Sequence, residues 1–214
     1  MQIENVFTNT EIIKLTKLAN ACQITDISYK NITKGLHYNK SVSPFRNLIE
    51  PKIKQLIGND VVVGGACYKE CYTPYPLHFD TKAVIDYHIK KHAEDDKEYR
   101  SSTTKYNLVL LIPLIEGKEF KTAIFDINAP LQTNLDYEDT CVKSEWCNSK
   151  NYLNVKDYDH LPQEHLEHLN KFSLIDEITW KLGSVFTWDR NKLHCSSNFA
   201  KYNVVKKMLV LFID

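Results

Sequence analysis

The stretch YTPYPLHFDTK, residues 72–82, places His78 and Asp80 two positions apart at the end of a β-type run. In an extended backbone the side chains at i and i+2 project to the same side, so an imidazole and a carboxylate here could grip one metal ion. Two ligands do not hold a metal, and the chain offers several further donors. His88 and His92 are spaced i, i+4, and His165 and His168 i, i+3, both compatible with half of a helical zinc site. The charged or polar surroundings of each pair favour a solvated helix face instead. Cys67 and Cys71 would share one face of a strand, but no second cysteine pair matches them. His194 differs from the other histidines, because it follows a glycine-led strand in GSVFTWDRNKLHCSSNF. Lys206 and Lys207 then open a last apolar strand, KKMLVLFI, and strand alternation lets one of the two point inward.

The elements that must carry these residues change character along the chain. NTEIIKLTKLANA reads as an amphipathic helix with Asn9 or Thr10 available as N-cap. A second helix is expected from about Phe45 to Ile57, closed by Gly58, with Pro51 producing a kink or a restart. From Asp60 the texture is β: VVVGGACYKECYT with a bulge at Gly64-Gly65, then 105–115 and 121–127 as a hairpin around Gly117, then 184–189 and 204–213. Two segments interrupt the strands, near 83–104 and 128–180, the latter with a short helix from Pro162 and a turn or strand at 173–180. One domain over 1–214 is expected, with helical support at 1–59 and a β-core at 60–214.

Composition narrows the function classes. The 214 residues carry 27 basic and 27 acidic side chains, so no net field would draw nucleic acid or an anionic membrane surface. All basic residues except Arg46, Arg100 and Arg190 are lysines, so an anion site is expected to use an ammonium rather than a guanidinium fork. The opening MQIENVFTNTEIIKL has no basic n-region and no apolar core, and no apolar run reaches spanning length; a cytoplasmic protein with reduced cysteines is the expectation.

The order of these features is similar to that of a known family. H-x-D on a strand, a glycine-led strand, a distal histidine and a basic residue entering a last apolar strand resemble the Fe(II)/2-oxoglutarate-dependent dioxygenases, most closely the phytanoyl-CoA hydroxylase-like and prolyl-hydroxylase-like groups. KLGSVFTWDRNKLHCSSNF carries the family's recognisable positions at Gly183, Asp189, His194 and Ser196. The resemblance covers about residues 60–214. It implies a double-stranded β-helix, the jelly-roll core also used by cupins, in a mainly β (α+β) fold with N-terminal supporting helices.

It also implies roles. His78, Asp80 and His194 would bind Fe(II) as a two-histidine, one-carboxylate facial triad that leaves three positions open. In the family, 2-oxoglutarate takes two of these and dioxygen the third, and the reaction releases succinate and CO2. The aspartate at position 80 points to hydroxylation or a related oxidation rather than halogenation. The far carboxylate of 2-oxoglutarate usually meets an arginine on the last strand; here no arginine follows Arg190. Lys206 is favoured for that contact, Lys207 is the alternative and Lys201 a weaker one, and Ser196 would contact the co-substrate. Tyr68, Tyr72, Tyr106 and Asn107 lie on strands that could line the pocket, although strand tyrosines more often pack. Asp189 reads as a turn aspartate and Arg190 as an exposed loop arginine.

Three other readings compete: a cupin-like metal protein of different chemistry, a non-enzymatic binding module on the same fold, and a zinc-stabilised protein using Cys67, Cys71 and the histidines at 160–168. The expected partner is a small-molecule or peptide substrate, held by the segments around the barrel mouth. Neither nucleic acid nor membrane is expected, and substrate identity and oligomeric state are not encoded legibly.

Overall fold

A computed structural model describes residues 1–28, 31–38, 43–80, 107–128, 153–169 and 172–213. Helix α1 (Asn9–Asn20) starts one residue earlier than its apolar stripe suggests, because Thr8 and not Asn9 is the N-cap. The Glu11 amide donates to the Thr8 hydroxyl, and the Thr8 amide donates back to the Glu11 carboxylate at 2.8 Å. This reciprocal box stabilises a helix end by about 1 kcal/mol. Helix α2 (Pro44–Ile57) is capped by Ser43 and ends at Gly58, as its sequence predicts. Pro51 neither breaks nor restarts it: one element runs through all 14 residues. The two helices bury Ile12, Leu15 and Ala19, and Phe45, Ile49 and Ile53.

These helices lie on the outer face of a seven-stranded antiparallel sheet. Its strands are β1 (Gln2–Ile3), β2 (Ile24–Ser28), β3 (Asn31–Gly35), β4 (Val63–Cys71), β5 (Leu108–Pro113), β8 (Val185–Asp189) and β10 (Lys206–Ile213), in the order β1-β8-β5-β10-β4-β3-β2. A three-stranded sheet, β7 (Leu174–Thr179), β6 (Lys121–Asn128) and β9 (Lys192–Ser196), ordered β7-β6-β9, packs on the inner face. Strand alternation divides the side chains cleanly. Leu110, Ile112, Leu209 and Leu211 join the helix-side core, while Val109, Leu111, Met208 and Val210 join the core between the sheets. Central strands covered on both faces therefore read as unbroken apolar runs, such as LVLLIP and MLVLFI. Each such side chain, fully buried, contributes about 1.5–3 kcal/mol. The expected double-stranded β-helix is the observed architecture.

Several local expectations are corrected. Residues 1–59 supply strands as well as helices: the β2–β3 pair extends the large sheet beyond β4, and β1 pairs with β8. The segments 108–113 and 121–128 do not form a hairpin. β5 lies in the large sheet and β6 in the small one, and the turn in which the Phe120 amide donates to the Gly117 carbonyl carries the chain between them. β7 is a core strand rather than part of an insertion, and the short helix before it, α3, spans Gln163–Leu169. The Gly64-Gly65 bulge is present, since Phe212 faces Gly65 while Ile213 faces Val63. The segment 83–104 and most of 128–150 lie outside the described residues.

Candidate metal centre

His78 and Asp80 come from the stretch after β4, and His194 from β9. His78 and His194 pair as an isolated antiparallel bridge: each backbone amide donates to the other's carbonyl, at 2.9 and 3.0 Å. The H-x-D segment is thus a short extra rung on the edge of the small sheet, and the Asp80 amide donating to the Arg190 carbonyl holds its end. Gly183 positions the strand that precedes His194. Its φ of +76° is left-handed, the Val6 and Phe7 amides both donate to its carbonyl, and a Cβ there would collide with the Phe7 carbonyl oxygen.

One ligand atom from each of His78, Asp80 and His194 lies within 4.8 Å of the others. The His194 Nε2 is 3.2 Å from one Asp80 carboxylate oxygen, and the His78 Nε2 is 3.9 Å from the other. Both Nδ1 atoms face backbone carbonyls, Pro76 at 2.8 Å and Lys192 at 2.9 Å. A carbonyl only accepts, so each ring carries its proton on Nδ1 and leaves Nε2 as a lone-pair donor toward the shared centre. Burial, with His194 alongside, pushes the His78 imidazole down to about 3, which keeps it neutral. Burial alone would raise Asp80, but the neighbouring His194 and His78 outweigh it and hold the carboxyl below its ordinary range. Two histidine ring nitrogens and one carboxylate oxygen are the donor set that a divalent iron takes. Among the described residues this is the one cluster of metal-competent side chains.

The same cavity continues past Thr122 and Ser196 to Lys206. Lys206 faces inward and is 2% exposed, whereas Lys207 is on the opposite face of β10 and partly exposed. The Lys206 ammonium donates to the Ser196 hydroxyl at 3.0 Å and sits 3.9 Å above the Trp180 ring, with Phe199 at 5.7 Å. The indole N–H of Trp180 in turn donates to the Thr122 hydroxyl at 3.1 Å. Burial pushes Lys206 down to about 7, with no carboxylate of the described residues balancing its charge.

The remaining expectations resolve in both directions. Tyr68 faces the helices and donates to Glu70, and Tyr72 is exposed, so neither lines the cavity. Asp189 is a turn aspartate that accepts from Asn107 and the Asn191 amide. Arg190 is not exposed: at 1% it is buried beneath the sheet, donating to the Leu108 carbonyl and stacking on Phe212. Lys201 is bound to the Lys156 carbonyl, away from the cavity. Cys67 and Cys71 are free thiols on the inward face, as alternation predicts, and no described histidine joins them in a metal-sized group. His88, His92, Tyr106 and the side chain of His168 lie outside the described residues. Sequence reasoning missed Lys69, Tyr75, Thr122 and Trp188, all of which line the cavity. For Lys69 a signal existed, since it stands between Cys67 and Cys71 and alternation puts all three on one face of the strand.

No protein-family model matches this chain. No curated protein sequence matches it either. Solved structures do. The epimerase SnoN from nogalamycin biosynthesis, in complex with Fe3+, alpha ketoglutarate and nogalamycin RO, superposes with a TM-score of 0.57 at 8% identity, covering 100% of this chain and 77% of SnoN. HygX from Streptomyces hygroscopicus, with nickel, 2-oxoglutarate and hygromycin B, gives 0.54 at 10% identity over 100% of this chain and 81% of HygX. EctD from S. alaskensis, with 2-oxoglutarate and 5-hydroxyectoine, gives 0.52 at 15% identity over 100% and 71%. This chain is similar in fold to these structures, whose descriptions name alpha ketoglutarate or 2-oxoglutarate, and that fold is the one its sequence predicts.

Proposed function

We propose that this protein is an Fe(II)- and 2-oxoglutarate-dependent oxygenase acting on a small molecule. The observation that carries this reading is one cavity with a facial donor set, His78, Asp80 and His194, at one end and a buried ammonium, Lys206, at the other. His78, Asp80 and His194 hold the metal, and bound iron with its co-substrate supplies the oxidising power for an unactivated C–H bond. The residues of the chain do the remaining work. Lys206 and Ser196 fix the far carboxylate of 2-oxoglutarate, and Trp180 and Phe199 exclude water from that pair. The carbonyls of Pro76 and Lys192 lock both imidazoles in the tautomer that presents Nε2. Lys207 points away and takes no part.

Hydroxylation is the outcome that Asp80 favours, with release of succinate and CO2. Structures of this fold include an alpha ketoglutarate dependent epimerase and an alpha ketoglutarate dependent carbocyclase, so one scaffold serves several outcomes. The ligands named for the neighbours, nogalamycin RO and hygromycin B, are small molecules, which supports that substrate class here. Among the described residues no helix is long and apolar enough to cross a membrane.

The test is anaerobic reconstitution with Fe(II) and 2-oxoglutarate. A weak visible charge-transfer band, lost in His78→Ala, supports the reading. Iron bound without the band points to a cupin-like metal protein, and no iron binding points to a binding module.

A further inference from the structure

A second ammonium reaches the cavity. Lys69 on β4 is half-buried, faces inward opposite Met208 of β10, and lines the same cavity as His78 and Asp80. Its Nζ stands 4.9 Å from the centre of the Tyr75 ring, and that ring is 5.6 Å from the ring of His78. Lys69 therefore serves the metal end of the cavity, whereas the Lys206 ammonium is turned toward Ser196 and Trp180. None of the ion pairs made by the described residues includes Lys69. Asp80 is the single acidic side chain among the described residues of the cavity wall, and it belongs to the metal.

Charge balance gives this arrangement a consequence, which rests on the oxygenase reading above. Ferrous iron brings two positive charges and the two lysines one each. Asp80 cancels one and the 2-oxoglutarate dianion two, and no other described wall residue is acidic or is a lysine or arginine. Among the described residues of the wall one positive charge has no partner in a partly desolvated cavity, an arrangement that is unfavourable unless an anion arrives to pair with it. We propose that Lys69 is a substrate-recognition residue and that the substrate carries a carboxylate, held by the Lys69 ammonium beside the Tyr75 ring. A single unmatched charge fits a monoanionic carboxylate better than a phosphate dianion. A lysine also offers a point charge rather than the bidentate fork of an arginine.

The test uses the full chain loaded anaerobically with Fe(II) and 2-oxoglutarate, with the charge-transfer band and calorimetry as readouts. The probes are propionate and benzoate, each against its uncharged isostere, propionamide and benzamide. The carboxylates are expected to bind at least about tenfold more tightly than the amides, the scale of one charge-assisted hydrogen bond. Lys69→Met should erase that preference while changing 2-oxoglutarate affinity by less than about threefold, well under the loss of one such bond. Lys69→Arg should restore the preference in part. Three results would overturn the proposal. Carboxylates and amides could behave alike in the unmodified chain. The preference could survive in Lys69→Met, meaning that the carboxylate ligates the metal directly. Lys69→Met could instead weaken 2-oxoglutarate by about tenfold or more, which would assign Lys69 to the co-substrate. A missing charge-transfer band in the unmodified chain is a separate failure: it removes the oxygenase reading, and this proposal with it.

Discussion

Lys121 and Lys206 lie on strands of the two facing sheets, yet they live in opposite electrostatic conditions. Lys121 donates to the Asp157 carboxylate at 2.9 Å and has Glu177 at 3.6 Å. Burial lowers it, but these two carboxylates outweigh that and raise it above its ordinary value. Lys206 has a hydroxyl and two aromatic faces, with no carboxylate in ion-pair range among the described residues, and burial pushes it down. A lysine that braces the structure carries its counter-charge in the protein. Under the proposed function Lys206 awaits a ligand, and its unmet charge is a cost that ligand binding would relieve.

The comparison can be broken most severely at the metal. Replacing His194 or Asp80 with alanine should lower turnover and Fe(II) affinity by more than about 100-fold, because the loss of a first ligand exceeds the 10–100-fold loss typical of an outer-shell partner. Equilibrium iron binding and succinate release would measure it. Unchanged iron affinity in both variants would remove the triad assignment.

The next effect belongs to Lys206. Lys206→Met should weaken 2-oxoglutarate by about 10–100-fold, as expected for a charge-assisted bond worth about 1.5–3 kcal/mol. The same substitution should raise the Tm of the ligand-free protein, because it removes a buried unpaired charge. A variant that loses both co-substrate affinity and stability would make Lys206 a structural residue like Lys121.

Titration sharpens the contrast further. The free Lys206 ammonium deprotonates near 7, and an anion binds its charged form. Affinity for 2-oxoglutarate should therefore be flat below about pH 7 and fall by about tenfold per unit above it, the slope of one linked proton. The stability effect has the opposite sense. Between about 7 and the ordinary lysine value the unfolded chain holds a proton that the folded one lacks, so Lys206 makes ligand-free stability rise with pH across that window. Calorimetry in several buffers and thermal melts without ligand would check both signs.

The smallest effect should be at Lys121. Lys121→Met removes a partly exposed ion pair and should cost about 1 kcal/mol or less, leaving 2-oxoglutarate affinity unchanged. A loss of co-substrate binding there would show that the two lysines are not separable.

Legibility followed the range of the interactions. His78 and Asp80 were readable because i, i+2 geometry on an extended chain is local. The inward position of one member of the Lys206–Lys207 pair follows from the same alternation, and the resemblance chose Lys206. The glycine before β8 was also visible, since the left-handed backbone at Gly183 demands it. The β5–β6 connection was misread because a hairpin and a crossing between sheets share the same local signals, a turn between two apolar runs. The β2–β3 pair was missed because ITDIS and NITKG are short and polar, and they become strands by adding to the exposed edge of β4. Arg190 looked exposed because its neighbours are polar, and only packing on Phe212 reveals its burial.

The sequence alone determined the candidate donors of this protein: His78, Asp80 and His194, lysines with no arginine after Arg190, and β-strands with two-residue alternation to aim them. Tertiary structure decided which charges lack partners. Ion pairing depends on distances between residues far apart in the chain, such as Lys121 with Asp157 and Lys206 with Ser196, and no local pattern encodes them. The closure of the two sheets therefore separates Lys121, which is ion-paired, from Lys206 and Lys69, which face the cavity with no carboxylate in ion-pair range among the described residues apart from the metal-site Asp80.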